Sequence, residues 1–89
     1  MQVKNMKSRN GNKVANQFII ENGQKLYFQS YKSIIALKDF EKGEIFLDSY
    51  FWNYSTTTGK YRNIFLNETI KETRQKIKSG EYQLTNLNK

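Results

Sequence analysis

Lys60, Arg62, Lys71, Arg74 and Lys78 lie close together in the C-terminal half of the chain, with Thr56, Thr57 and Thr58 just ahead of them. Ammonium and guanidinium groups beside hydroxyls suit phosphate oxygens, which accept charge-assisted hydrogen bonds from all three. On a helix, Lys71, Arg74 and Lys78 fall at i, i+3 and i+7 and share one face, while Glu72 falls on another face within reach of Lys76. A helix capped by Ser55 would begin with Thr56, Thr57 and Thr58, and its first amides would add donors for an oxyanion. These residues are the candidate nucleic-acid contacts. Trp52 and Tyr54, in the run Tyr50-Phe51-Trp52-Asn53-Tyr54, are candidate stacking platforms for bases or anchors for a partner protein. Plainer roles compete for each: hydroxyls cap helices, surface lysines solvate them, and rings in so small a domain pack its core.

Composition narrows the chemistry. The chain has no Cys and no His, which excludes disulfides, Cys or His zinc ligation, and Ser-His or Cys-His nucleophile pairs. Gly59-Lys60 does not close a phosphate-binding loop of the G-x-x-x-x-G-K-[ST] type, because Tyr54 and Tyr61 stand where Gly and Ser/Thr are required. Asp39 and Glu41, the acids of the loop from Asp39 to Gly43, lack the spacing of a calcium loop and read as solvated turn charges. No metal ligand set and no cofactor is implied, and the chain reads as non-enzymatic. With 15 Lys+Arg against 8 Asp+Glu, its net charge is +7, which favours polyanionic partners. No apolar run approaches the ~20 residues of a membrane span, so the expectation is a cytoplasmic protein with no membrane partner. The oligomeric state is open.

The elements that must position these groups follow from periodicity. Residues 1–13 contain Lys4, Lys7, Arg9 and Lys13, no acid, and only Val3 and two Met as apolar residues; the expectation is a mobile basic arm ahead of a single small domain over residues 14–87. Asn16 to Glu21 and Lys25 to Ser30 are β-rich runs around Asn22-Gly23, a dipeptide suited to a two-residue hairpin turn. That register sets Ile19 opposite Leu26 and Phe18 opposite Tyr27. Ser33 to Lys38 and Glu44 to Asp48 read as two more strands. Tyr61 and Phe65, at i and i+4, with Ile64 beside them, are expected to give the helix after Ser55 its buried face. Thr69-Ile70-Lys71-Glu72 has the form of a capping box, and Gly80 sits where a left-handed C-terminal residue belongs. Glu81 to Leu84 alternates again as a final short strand, and Asn86 to Lys89 should fray. The expected fold is α+β: a four-stranded antiparallel meander, two short helices and a short C-terminal strand. At 89 residues, size scaling gives an exposed surface of roughly 5,500 Å².

From about Asn16 to Leu87 the chain is similar to a family of short, uncharacterised domains encoded mainly by phages, plasmids and other mobile elements of Gram-positive bacteria. The phrases that carry the resemblance are NQFII (16–20), FQSYKSIIA (28–36), LDSYFWNYSTTTGKYRNIFL (47–66) and KETRQKIKSGEYQL (71–84). The resemblance implies a mobile-element origin and brings no catalytic residues with it; residues 1–13 lie outside it. The functional expectation is an accessory protein that binds nucleic acid mainly through its phosphates. The alternative is a module that binds a host protein and inhibits or redirects it.

Overall fold

The computed structural model describes residues 1–89. In chain order it contains β1 (Gln2–Lys7), β2 (Lys13–Asn22), β3 (Lys25–Ser30), β4 (Ser33–Asp39), β5 (Glu44–Asp48), α1 (Thr56–Leu66), α2 (Ile70–Ser79) and β6 (Tyr82–Thr85). The strands form one sheet in the order β1-β2-β3-β4-β5-β6. Every pairing is antiparallel except β5 with β6, which is parallel. Parallel neighbours need a long crossover, and α1 and α2 supply it.

The expected four-stranded meander with a short appended strand is therefore corrected to a six-stranded, mostly antiparallel sheet. The N-terminal residues expected as a mobile arm include its first edge strand. Val3 stands opposite Ile20 and Asn5 opposite Phe18, the Asn5 side-chain Nδ2 donates to the Val14 carbonyl at 3.0 Å, and Met6 is buried in the main core cluster. Local composition misled because the stabilising groups lie on β2. A strand of polar side chains still satisfies its backbone when a partner offers a ladder.

The β2–β3 hairpin forms one residue further along than expected. Asn22 pairs with Lys25, leaving Gly23 and Gln24 as the turn, and of the two only Gly23 has positive φ, at 62°. Ile19 thus meets Phe28 and Phe18 meets Gln29. A shift of two in the partner preserves the face of every side chain, which a shift of one would have reversed.

Alternation divides the sheet into two faces. Phe28, Ala36, Leu47 and Tyr82 point to the face covered by the helices and join Phe65 and Leu66 of α1 in one cluster; the Phe28 and Phe65 rings lie 5.8 Å apart. A bulge between Phe28 and Gln29 of β3 and their β4 partners leaves Ile35 buried in the same cluster. Ile20, Tyr27, Leu37 and Phe46 follow one another across the strands on the opposite face, with Phe18 two residues from Ile20 on β2, and none belongs to the cluster. With one face uncovered, the exposed surface is 6060 Å², above the value expected from size alone.

Two carboxylates tie the ends of elements together. Asp48, buried at the end of β5, accepts from the amides of Phe51 (2.8 Å) and Tyr50 (3.1 Å), and from the Leu87 amide (2.8 Å) and Asn88 side chain (2.9 Å). Asn88 also bonds both backbone groups of Ile34, so the C-terminal residues expected to fray are fastened to β4 and β5. Asp39, expected as a solvated turn charge, is buried and accepts from the amides of Glu41 and Lys42, each at 3.1 Å. No helix is long and apolar enough to cross a membrane.

Candidate nucleic-acid interface

The start of α1 is built by its cap. Ser55 is extended and accepts from the Thr58 amide at 3.2 Å, leaving the first turn with no acidic residue. Thr56 and Thr57 are exposed, as a phosphate contact requires. Thr58 is not: it is 2 % exposed, and its hydroxyl shares a 2.9 Å hydrogen bond with Ser30 of β3. It joins the helix to the sheet and leaves the candidate site.

Arg62 also leaves it. The side chain is 1 % exposed and donates to the Trp52 carbonyl at 2.8 Å, the Asn53 side chain at 3.2 Å and the Asn63 side chain at 2.9 Å. Burial lowers its proton affinity, the nearby Arg74 charge lowers it further, and Glu68 opposes both; a guanidinium stays charged regardless. This buried cation packs along Gly59, where a Cβ would stand 3.5 Å from its Nη2. Its function is to hold the 50–54 segment against α1. Trp52, expected as a stacking platform, is half-buried, packs against the core and receives Arg62 at 5.3 Å from its ring. Tyr54 is 63 % exposed and remains available.

The capping box of α2 forms in both directions: Glu72 accepts from the Thr69 amide at 3.1 Å and the Glu72 amide donates to the Thr69 hydroxyl at 3.2 Å. Glu72 is thereby committed to the cap. Lys76 instead bonds Glu68 at 2.8 Å and lies 4.0 Å from Glu81. Glu68 is a hub: it also accepts from Tyr82 at 2.7 Å and from Thr73. Burial raises its proton affinity, but these three donors outweigh that and hold the carboxyl below the usual range. Both ion pairs of the molecule use Lys76, so Lys71, Arg74 and Lys78, all exposed on α2, are free of acids.

The predicted cluster of five cations is therefore not one group. Lys60 is exposed on α1 and lines two adjoining depressions. One, of about 590 Å³, is shared with Asn53, Ser55, Thr56, Gly59, Arg62 and Asn63. The other, of about 690 Å³, lies between α1 and the β1–β2 turn and is lined by Lys7, Ser8, Arg9, Asn10, Lys60, Tyr61 and Ile64. Its three cations face no acid in the lining. Lys7 and Arg9 were missed as site residues because they reach α1 only through β1, which composition did not disclose. The charge of residues 1–13 was visible; its placement was not.

No group of three or more acids comes together in a manner that could hold a metal ion. Residues 1–81 match a family of unknown function (DUF8033), and the chain belongs to that family. The match includes residues 1–15, so β1 and the basic turn are part of the family domain. No curated protein and no solved structure matches the chain.

Proposed function

We propose that this is a non-enzymatic accessory protein of a phage or plasmid, acting in the host cytoplasm, that binds nucleic acid through its phosphates. The observation that supports the reading best is the cleft in which Lys7 at the end of β1 and Arg9 of the β1–β2 turn meet Lys60 of α1 with no carboxylate in the lining. Cations from separate elements converging without acids suit a phosphate chain, since each neutralised phosphate releases counterions. Exposed Thr56 and Thr57 extend the contact toward the N-terminus of α1, and Lys71, Arg74 and Lys78 add a second basic surface on α2. The mobile-element origin rests on the four sequence phrases that resemble phage and plasmid domains.

A salt series of fluorescence anisotropy with a labelled oligonucleotide tests it. About four engaged phosphates give a log–log slope of roughly −3 to −4. Replacing Lys7, Arg9 and Lys60 together by Ala should weaken binding and cut the slope by about 2 to 3. Absence of binding at low salt, or an unchanged slope in the triple variant, contradicts the reading.

The exposure of Tyr50 and Tyr54, at 73 % and 63 %, favours a second reading in which this corner anchors a host protein. A partner that stays bound after nuclease treatment and in high salt belongs to that reading; one released by either belongs to the first.

A further inference from the structure

The geometry points to a base-binding pocket beside the phosphate track, so that the ligand is a single strand with one base drawn out of the stack. This rests on the nucleic-acid reading and adds what kind of strand it takes. The pocket, about 390 Å³, lies at the β3–β4 turn, with Asn16, Tyr31, Phe51, Tyr54, Ser55 and Thr58 among its walls, a size within the range of sites that enclose small ligands.

Its backbone is costly in the same place. Only three residues other than glycine have positive φ, and two of them, Asn16 (65°) and Tyr31 (57°), line this pocket. The Tyr31 amide donates to the Asn16 carbonyl at 2.6 Å, locking the two together. Ser30 pairs with Ser33, so Tyr31 is the first central residue of a two-residue turn, a position at which positive φ favours glycine. A tyrosine there strains the turn, and its ring does not repay this by packing, being 54 % exposed. Residues held in sparsely populated backbone regions cluster at ligand sites, and Tyr31 is such a residue at this pocket's wall. Tyr54, also exposed, and half-buried Phe51 supply further aromatic wall. Rings with hydroxyl and amide groups beside them match a nucleobase, which stacks by its faces and bonds by its edge.

Shared residues link the pocket to the basic surface. Ser55 lines both it and the depression along α1, and Lys60 lines both that depression and the basic cleft. A strand with its phosphates on Thr56, Lys60 and Arg9 would thus carry a base to Tyr31. The only charged residue of the pocket lining is Lys32, so nothing there repels a polyanion. A duplex would first have to unpair.

The test is anisotropy of the full chain with three probes of equal length: a single strand, the same strand with abasic sites, and a duplex. The single strand should bind about tenfold more tightly than the abasic strand, the scale of one base stacked on an aromatic ring. Tyr31→Gly should bring the two within twofold of each other while its unfolding midpoint stays at or above that of the unchanged protein. Tyr54→Ser should narrow the difference as well. Equal affinity for base-bearing and abasic strands with a normal salt slope overturns the pocket and leaves the phosphate reading standing. Failure to bind any probe at low salt overturns both readings; retention of the tenfold preference by Tyr31→Gly overturns the pocket alone.

Discussion

The Arg62 guanidinium lies 5.3 Å from the Trp52 ring and donates to the Trp52 carbonyl at 2.8 Å. It is a positive group used as an internal clamp between α1 and the loop before it, with no carboxylate bonded to it. The clamp holds the segment that walls both the base pocket and the depression along α1: Phe51, Tyr54 and Ser55 line the first, Asn53 and Ser55 the second.

Arg62→Ala should therefore act on stability and not on phosphate contact. It leaves the Trp52 carbonyl and the Asn53 amide oxygen without a donor and opens a void, at a cost of about 2–4 kcal/mol. Urea unfolding measures this loss. At a temperature where the variant is folded, its salt slope for oligonucleotide binding should equal that of the unchanged protein, since a buried guanidinium releases no counterions.

Stability should fall at both ends of the pH scale. Asp48 and Glu68 are buried, which raises their pKa, yet the hydrogen bonds they accept prevail and hold both below the ordinary values of 3.8 and 4.5. A depressed carboxyl stabilises fully above its unfolded value, and that contribution is lost as pH falls through the folded one. Tyr82 is pushed up to about 12 from 10.0, by burial first and then by its bond to Glu68. Its contribution is complete below pH 10 and lost between there and about pH 12. Urea midpoints should drop below about pH 4 and again above pH 10; Asp48→Asn should flatten the acid limb and Tyr82→Phe the alkaline one.

Met6→Ala should cost about 2–3 kcal/mol, because a buried thioether chain is removed from the main cluster. Deleting residues 1–12 should cost at least as much, by exposing β2 as a new edge. A chain whose N-terminus were only a solubilising tail would tolerate both, and thermal unfolding distinguishes the cases.

Gln17→Met should be stabilising by about 1 kcal/mol. The Gln17 side chain is fully buried with neither amide atom hydrogen-bonded to protein, so an apolar side chain of similar length removes an uncompensated polar group. Calorimetry of the two proteins gives the sign directly.

What could be read from the residues was what short-range chemistry decides. Ser55 capping α1, the Thr69–Glu72 box and the left-handed Gly80 each depend on neighbours within a few positions, and all three form. The strands Lys25–Ser30 and Glu44–Asp48 were read with their observed ends. β1 was not legible because its stability lies in pairing with β2, and the parallel placement of β6 depends on a partner far back in the chain. Arg62 did leave a signal: Thr58, Arg62 and Phe65 fall at i, i+4 and i+7, the spacing of one buried helical face, and all three are buried. Its charge drew attention away from that period. Lys7 and Arg9 became site residues only once β1 carried their turn to α1.

The most direct measurement is the salt dependence of oligonucleotide affinity for the unchanged protein beside the Lys7→Ala/Arg9→Ala/Lys60→Ala variant. A slope of roughly −3 to −4 that falls to about −1 in the variant, at unchanged thermal stability, is the predicted result. Equal slopes in the two proteins, or no binding by either at low salt, would contradict a phosphate track along α1.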